Sequence, residues 1–444
     1  MKNTLLASCI ALLLNPIVGH CASDEPLLSL NLLVQHALEA QPSVAIASYE
    51  IERRNQETNM SKAALYPTLD ITSEASQKNT SDSGNEQNIE NKAALNYRIT
   101  DFGVRSSTIE KSEHIEESSR FDFMQTTIQT SSQTAACFMR IEKLKKILAL
   151  IEQEKGFYKK MLGDFSELVG SGVAMQSDMR KVQVSIDTLS TQELGYRSQL
   201  ETEIAKMRNL TGDRVTENNT LSLPDIFEKY KFVTDKKEVM GEIKRDSNTY
   251  LSLAKNIDAA KSDIQAAKNS NYPTIDASAG YTKNNPSADA NPDDYKDEFK
   301  VGIKVGLNIF NGFKNQSEVG KFTARYTQSK LELDDFLIKT QNDIDVNQSK
   351  YQANVQALEI AKHSYDNADK LTDLYKEEFK LGQKSLLDLV SSRNESFQAH
   401  TTIIETTYGI YELKLEQMVQ RSTLLKQLSI DNHNIRIGSR SLLR

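Results

Sequence analysis

Cysteine, tryptophan, proline and long hydrophobic runs are scarce or missing in this chain of 444 residues. Its three cysteines and six histidines are scattered along the sequence, which argues against a zinc scaffold or a disulfide framework. No apolar run of about 18 residues occurs beyond the N-terminus, which excludes a helical multi-span membrane protein. The formal net charge is -7 and no block of lysine and arginine occurs, so we expect no nucleic-acid partner.

Enzyme signatures are missing as well. The sequence has no Gly-x-Ser-x-Gly elbow, no phosphate-binding Walker loop and no His-Glu-x-x-His motif. Asp101-Phe102-Gly103 has the letters of a kinase triplet without its partner motifs, and we interpret it as a turn between a strand and a helix. We therefore expect the chain not to be an enzyme and to hold no cofactor or metal.

The N-terminus predicts a secretory signal peptide over residues 1–22. Lys2 precedes an apolar stretch from Leu5 to Leu14, which is too short to span a membrane. After cleavage Cys137 is the only internal cysteine, so no internal disulfide is expected.

The remaining sequence predicts a repeat of roughly 200 residues, the first feature to seek in a long chain. Tyr66-Pro67-Thr68 recurs as Tyr272-Pro273-Thr274, and Gly172 and Asp178 correspond to Gly382 and Asp388. The two units span 23–222 and 223–430, and residues 431–444 form a C-terminal tail. Each unit is predicted to hold a helix, a β-hairpin (67–101 and 273–310) and a pair of long helices (104–211 and 314–428).

Proline placement permits very long helices. No proline occurs from 68 to 223 or from 293 to 444, and proline inside a helix costs about 3 kcal/mol. Apolar residues recur every seven positions from Phe123 to Phe165, from Leu337 to Phe379 and from Val390 to Leu425, as in coiled-coil seams. The apolar stripes are narrow, so we expect helices that are wet on more than one face, although periodicity alone favours an ordinary rod or bundle.

Residues 93–100, 274–281 and 299–309 alternate between apolar and polar side chains, which predicts strands with one apolar and one polar face. A length of about ten residues suits a tilted membrane-spanning strand. The polar connectors 78–88 and 283–298 are predicted to be external loops. Four strands cannot close a barrel and lipid does not tolerate open edges, so several chains would share one barrel. The alternative is a small soluble sheet that caps the helices.

The order of these elements resembles the TolC-like outer-membrane exit ducts, the outer-membrane efflux protein family. Each unit has a helix, a Tyr-Pro strand pair, a very long helix, a Gly-x5-Asp turn and a second helix. The resemblance implies a mainly α fold with a β-barrel part. Three chains would share a 12-stranded barrel in the cell outer membrane and form an α-barrel tunnel through the periplasm.

The same resemblance implies a function and partners. The duct would pass substrate from an inner-membrane transporter, ABC-type or proton-driven, through a periplasmic adaptor (membrane fusion protein). Its substrates would be exported proteins, by type I secretion, or drugs and small molecules, by efflux. The alternative is a soluble periplasmic coiled-coil scaffold or adaptor, although adaptors usually have one helical hairpin and this chain has two.

The two helix-to-helix turns carry the candidate functional residues. Gly172 and Gly382 can adopt positive φ and reverse the chain between two helices. The resemblance implies that these glycines and Leu381 contact the adaptor at the periplasmic tip. A purely structural role is equally open: Ser177 and Ser385 are predicted N-caps, and acidic residues at 178 and 388 suit the first turn of a helix.

By resemblance, Ser177 and Asp178 would contact Phe379 and Lys384 and hold the tunnel aperture closed. Asp388 would line the constriction as a ring of three carboxylates that selects cations. Phe379 has no hydroxyl group to donate and Lys384 cannot pair bidentately as an arginine would, so this latch is expected to be weak. Ser391 stands where the family has a second acidic ring, so block by cations is expected to be weaker.

The absence of tryptophan leaves tyrosine and phenylalanine to form any aromatic belt at the membrane surface. Each candidate is as compatible with simple packing. The candidates are Tyr66, Tyr97, Tyr272, Tyr281, Phe299 and Phe310.

Overall fold

The computed structural model describes residues 28–80, 84–170, 175–212, 215–216, 221–222, 224–286 and 296–430. The predicted signal peptide, Gly172 and the C-terminal tail lie outside these residues. The elements in chain order are β1 (Leu28–Ser29), α1 (Leu30–Ala40), α2 (Pro42–Ala63), β2 (Thr68–Thr80), β3 (Gly84–Thr100), α3 (Val104–Gly170), α4 (Gln176–Thr211), β4 (Leu221–Ser222), α5 (Ile226–Lys229), α6 (Lys236–Asp246), α7 (Asn248–Asn269), β5 (Thr274–Pro286), β6 (Glu298–Gly306), α8 (Lys314–Lys380), α9 (Leu386–Gln420) and α10 (Leu424–Gln427).

Two very long helices dominate the molecule, as the proline-free segments predict. The helices α3 and α8 have 67 residues each, which at 1.5 Å per residue is about 100 Å. Towards the sheet the neighbours run in the order α2, α3, α7 and α8, and towards the other end in the order α4, α3, α9 and α8. The helices therefore form a single layer, which we call the helical wall.

The seams of this wall are narrow and partly polar. The buried residues of α8 are mostly small or polar, namely Ser329, Thr340, Ile344, Asn347, Ala361, Ala368 and Thr372. Such side chains allow close approach of neighbouring helices but bury little apolar area. The wall is therefore thin and wet, as the stripes predict, and is not an ordinary solid bundle.

The largest apolar core lies midway along the long helices. There α1, α5 and α10 pack on α3, α4 and α9, and the core includes Leu33, Phe138, Met207, Met418 and Leu424. The short strands β1 and β4 pair in parallel beside it. This core ties the N-terminal segment, the connection between the two units and the end of α9 into one body.

The prediction of a helix up to residue 428 is wrong, because α9 ends at Gln420. Ser422 adopts the left-handed conformation (φ 54). Its N–H group donates to the Val419 carbonyl at 3.0 Å, and the Thr423 N–H group donates to the Met418 carbonyl at 2.8 Å. This Schellman pattern satisfies the last carbonyl groups and ends the helix before α10 begins.

The four long strands form one antiparallel sheet in the order β2-β3-β5-β6. The strands β2, β3 and β5 have 13, 17 and 13 residues, longer than the predicted ten. Residues 78–80 and 84–88 of the first predicted loop and 283–286 of the second are strand, because the backbones of polar residues there still pair, for example Lys78 with Glu86. In contrast, β6 ends at Gly306, before the predicted limit.

Candidate functional site

The turn between α8 and α9 lies at the end of the wall that is far from the sheet. Gly382 has φ 71, its N–H group donates to the Phe379 carbonyl at 2.9 Å, and the Gln383 N–H group donates to the Glu378 carbonyl at 2.9 Å. These two bonds form a Schellman motif with glycine at the left-handed position. Leu381 is 72% exposed beside it. We call residues 381–385 the tip turn.

Ser385 and Asp388 form a capping box at the start of α9. The Asp388 N–H group donates to Ser385 Oγ at 3.2 Å, and the Ser385 N–H group donates to Asp388 Oδ2 at 3.3 Å. The Ser385 hydroxyl group also donates to Oδ2, at 2.8 Å. These hydrogen bonds from Ser385 lower the pKa of Asp388. The predicted N-cap is therefore confirmed, and the carboxylate is ionised at neutral pH.

The other predicted N-cap is wrong. The N-cap of α4 is Met175, whose extended backbone accepts the first helical hydrogen bond, from the Asp178 N–H group at 3.1 Å. Ser177 lies two residues after the N-cap, inside the helix, and its side chain is exposed. Asp178 lies in the first turn as predicted, and Lys181 is 3.9 Å away.

The predicted contact of Ser177 and Asp178 with Phe379 and Lys384 stays a prediction. Lys384 Nζ lies 4.5 Å from the centroid of the Tyr375 ring. Phe379 is partly buried against the apolar cluster of α3, α4 and α9. Ser391 is exposed on α9. A latch between Asp178 and Lys384, and a ring of Asp388 carboxylates, would each need a second copy and remain predictions.

The sheet is amphipathic in the sense that its alternation predicts. One face has rows of apolar residues that continue across all four strands. That face includes Leu69 and Ile71 of β2, Leu95 and Tyr97 of β3, Ala277, Ala279 and Tyr281 of β5, and Phe299, Val301 and Ile303 of β6. The opposite face is polar, with Arg98 Nε donating to Asp276 Oδ1 at 2.8 Å and Asn96 Nδ2 donating to Asp70 Oδ2 at 3.4 Å.

The apolar face is open to its surroundings. Ile71 is 79% exposed and Ile303 is 73% exposed. A stable fold does not expose so many large aliphatic side chains to water, so an apolar environment must cover this face. Bilayer lipid is such an environment, and the polar face would then line an aqueous lumen.

Five of the six predicted belt residues lie at two heights along the sheet. Tyr66, Tyr272 and Phe310 lie just outside the strands at the helical end, and Tyr281 is directly opposite Phe299 further along. Nine residues separate Tyr272 from Tyr281, about 30 Å of strand and about 23 Å of bilayer at a tilt of about 40°. That height is close to the ~25 Å apolar band of outer-membrane barrels. Tyr97 is 40% exposed and lies opposite Ala277, about midway between the two heights.

Two further aromatic residues were not predicted. Phe102 and Phe313 each adopt positive φ, 53 and 64, where a strand pair leads into a long helix. The Phe102 ring lies 5.9 Å from the Tyr272 ring, and the Phe313 ring lies 5.5 Å from the Phe310 ring. The sequence signal was a phenylalanine beside a glycine at the same place in both units, Phe102-Gly103 and Gly312-Phe313.

Among the described helices, none is both long and apolar enough to cross a bilayer. In the part of the chain that the structure describes, no group of three or more His, Cys, Asp or Glu side chains is placed to hold a metal ion.

Known proteins share both the sequence pattern and the fold. The family model described as outer membrane efflux protein matches residues 33–213 and 243–414. The outer membrane protein TolC of Salmonella enteritidis is 20% identical over 405 residues, which cover 86% of this chain and 80% of that protein. TolC of Escherichia coli (strain K12) is 20% identical over 327 residues, which cover 69% of this chain and 65% of that protein.

Solved structures agree at the level of the fold. The outer membrane protein VceC of Vibrio cholerae superposes with a TM-score of 0.77 at 13% identity, covering 88% of this chain and 96% of that one. The CmeC outer membrane channel of Campylobacter jejuni gives 0.76 at 13% identity, with coverages of 91% and 90%. The chain therefore belongs to the outer membrane efflux protein family, a family of outer-membrane transport channels and not of enzymes.

Proposed function

We propose that three copies of this chain form the exit duct of a tripartite transport system. A periplasmic adaptor and an inner-membrane transporter, ABC-type or proton-driven, would deliver substrate into a tunnel that crosses the periplasm and the outer membrane. Exported proteins, drugs and small molecules are the substrate classes. The observation that carries the proposal is the amphipathic four-stranded sheet, whose edge strands β2 and β6 each have only one neighbour among the described strands.

An open sheet edge cannot stay unpaired in lipid, because each free N–H and C=O group costs several kcal/mol there. Pairing β6 of one copy with β2 of the next satisfies both edges with a single contact. Eight strands give a barrel filled by side chains, so two copies would leave no pore. Three copies give twelve strands and a lumen lined by the polar face.

The helical wall supports the same closure. Its free edges are α2 and α4 on one side and α8 on the other. Both edges carry exposed apolar side chains that a neighbouring copy would cover. They are Ile46, Met60, Val184 and Leu194 on one edge and Leu331, Ile338, Ile360 and Leu374 on the other.

Gating and docking would take place at the end of the wall that is far from the sheet. The two units, 23–222 and 223–430, would each supply one helical hairpin to this end. Leu381 and Gly382, with Gly172 of the first hairpin, would contact the adaptor. Asp388 of three copies would form the acidic ring, and Ser177, Asp178, Phe379, Lys384 and Ser391 would lie around the aperture. The exposed, sharply turned tip between α8 and α9 supports this assignment.

The oligomeric mass of the mature protein tests the proposal. The protein is extracted from the outer-membrane fraction with a mild detergent and measured by light scattering with correction for bound detergent. A trimer is expected, and it would justify cross-linking to find the adaptor and the transporter. A monomer in the soluble periplasmic fraction would contradict the duct and favour a coiled-coil scaffold.

A further inference from the structure

A buried ion pair joins α3 to α9 above the tip turn. Arg393 Nε donates to both carboxylate oxygens of Glu154, at 3.0 and 2.9 Å, and a terminal guanidinium nitrogen lies 2.7 Å from Glu154 Oε2. The Glu154 side chain is 1% exposed and that of Arg393 is 18% exposed. The Arg393 guanidinium group also lies 4.7 Å from the centroid of the Phe157 ring. The partners are 239 positions apart in the chain.

Hydrogen bonds extend from this pair to α8. Arg393 lies 3.6 Å from Asp369, and the Ser396 hydroxyl group donates to Asp369 at 3.4 Å. On the other side, the Tyr158 hydroxyl group donates to Asn394 at 3.0 Å. On α9, Asn394 therefore contacts α3 of the first helical hairpin, and Ser396 contacts α8, the other helix of its own hairpin.

Stability alone does not explain the pair. Burial raises the pKa of Glu154 even though Arg393 lies beside it, so desolvation outweighs the pairing for this carboxylate. Well-packed apolar residues of similar volume are often as stabilising as a buried ion pair, or more so. The attested use of such a polar group is to select one alignment of two helices.

The apolar contacts around the pair do not select an alignment by themselves. On α3 the buried residues Ile147, Ile151, Tyr158 and Met161 continue a seven-residue seam, and Val390 and Phe397 do so on α9. A shift of seven residues, about 10 Å, places apolar residues opposite apolar residues again. The buried charged pair distinguishes the alignments, because Arg393 would then face Ile147 or Met161, the residues seven positions from Glu154.

Towards α3, this end of α9 is otherwise held by apolar packing, in the cluster that includes Leu386, Leu389, Val390 and Phe397. The buried residues that α9 contributes to the main core begin at Tyr408, 15 residues beyond Arg393 and therefore about 22 Å away. A second ion pair from α3 to α9, between Arg140 and Glu412 at 3.4 Å, is exposed at 46% and 37%. Exposed pairs contribute little to the choice between alignments.

We propose that Glu154 and Arg393 are positioning residues: their bidentate pair seats the first turns of α9 on α3 and thereby fixes the tip turn. The proposal rests on the proposed function, because the tip turn matters as the aperture of a duct. The pair sets where Lys384 and Asp388 lie, and it touches no substrate.

The test compares the unmodified protein with Glu154→Met/Arg393→Met in full-length trimers carrying a spin label at Leu381→Cys. Cys137 is buried and its pKa is raised to about 12 by that burial, so the native thiol does not compete for label. The double variant is expected to keep the unmodified melting temperature but to broaden the distribution of distances between labels. The charge exchange Glu154→Arg/Arg393→Glu is expected to restore a narrow distribution.

Lys155→Met is the matched control. Lys155 pairs with Glu193 of α4 at 2.6 Å, next to Glu154, but does not bridge to α9, so it is expected to leave the distribution narrow. A narrow distribution in the double variant would overturn the proposal, as would equal broadening in the control.

Amide hydrogen exchange over residues 386–397 tests the role of the pair without depending on trimer formation. Faster exchange in Glu154→Gln than in Lys155→Met is expected, and equal rates would overturn the proposal. Glu154→Gln keeps the side-chain volume, so this comparison remains available if the double variant does not fold. If the unmodified protein shows no distances between labels, the trimer is refuted and the exchange data alone decide the role of the pair.

Discussion

Replacement of Gly382 separates the role of the tip turn from the stability of the whole molecule. Its φ of 71 lies in the left-handed region, and an added Cβ would meet no atom within 4 Å. Any effect of Gly382→Ala is therefore a backbone effect and not a clash. The left-handed conformation costs an L-residue about 1–2 kcal/mol, and the stiffer unfolded chain returns about 0.4–1 kcal/mol. The net destabilisation of the turn is expected to be about 1 kcal/mol.

Gly382→Pro is expected to be more severe. Proline fixes φ near -65°, which the turn cannot accommodate, and it removes the N–H group that donates to the Phe379 carbonyl. It also disfavours the conformation of Leu381 just before it. Together with a lost hydrogen bond of about 1 kcal/mol, the turn should lose about 3 kcal/mol or more. The Schellman motif is then expected to open locally.

A matched control lies in the same helix. Gly320 is inside α8, has no positive φ, and an added Cβ there would also meet no atom within 4 Å. Gly320→Ala should stabilise the helix by up to about 1 kcal/mol. Replacement of glycine by alanine is thus expected to stabilise α8 at position 320 and to destabilise the turn after α8 at position 382.

The assay measures substrate resistance in a host strain that lacks its own duct, together with the amount of trimer in the outer membrane. Gly382→Pro is expected to abolish transport with trimers retained, Gly382→Ala to reduce it, and Gly320→Ala to leave it unchanged. Hydrogen exchange over residues 379–388 should rank the two Gly382 variants in the same order. Normal transport by Gly382→Pro would refute the assignment of this turn to the tip.

Two further predictions concern charge. Asp388→Asn keeps an oxygen that can accept from the Ser385 N–H group but removes the charge, so it should lower the cation selectivity of reconstituted pores. Ser385→Ala, the control, should weaken the cap by about 1 kcal/mol and leave the selectivity unchanged. Equal reversal potentials in Asp388→Asn and the unmodified protein would contradict the ring of carboxylates. Burial, and secondarily Arg393, lowers the pKa of His400 below its ordinary value of 6.5. Stability due to the neutral imidazole is therefore present above pH 6.5 and is lost as the pH falls from there through the lowered folded-state pKa. The melting temperature of His400→Gln should fall less between pH 7 and pH 5 than that of the unmodified protein, and equal losses would contradict this origin.

The sequence predicted features that local periodicity encodes. The absence of proline and the seven-residue registers located α3 and α8, and alternation located three of the four strands with their apolar and polar faces. The ends of elements were less predictable, because Lys78 and its neighbours are polar residues whose backbones nevertheless pair across the hairpin. The N-cap of α4 was misplaced because serine at a helix start is a preference, and the backbone of Met175 can begin the helix without it.

Contacts between distant segments could not be predicted. Nothing local marks Glu154 as the partner of Arg393, since each is one charged residue among many on a polar helix. Their pairing depends on how α9 lies on α3, which the repeating apolar seams leave open. The same holds for the pairing of β3 with β5, which joins the two units into one sheet.

Phe102 and Phe313 allow a direct test of how the sheet sits in a membrane. Both are in the left-handed conformation, which costs a bulky residue about 1–2 kcal/mol, and both are well exposed, at 48% and 67%. Where each strand pair leads into a long helix, two consecutive residues have positive φ, and one of the two is glycine while the other is phenylalanine. Retention of a strained and exposed ring at the same place in both units is explained if the ring lies at the membrane surface.

The chain contains no tryptophan, so each substitution to tryptophan creates a single fluorescent probe. In vesicles, Phe102→Trp and Phe313→Trp are expected to be quenched more by lipids brominated near the headgroup than by lipids brominated at mid-chain. Tyr281→Trp should show the same preference for the opposite leaflet surface. Phe232→Trp is the control: Phe232 stacks on Tyr351 at 4.1 Å, far along the chain from the sheet, and no lipid should quench it. Stronger quenching of Phe102→Trp and Phe313→Trp by an aqueous quencher than by any brominated lipid would show that the junction lies outside the bilayer surface, and the two rings would then be packing residues of the helical wall.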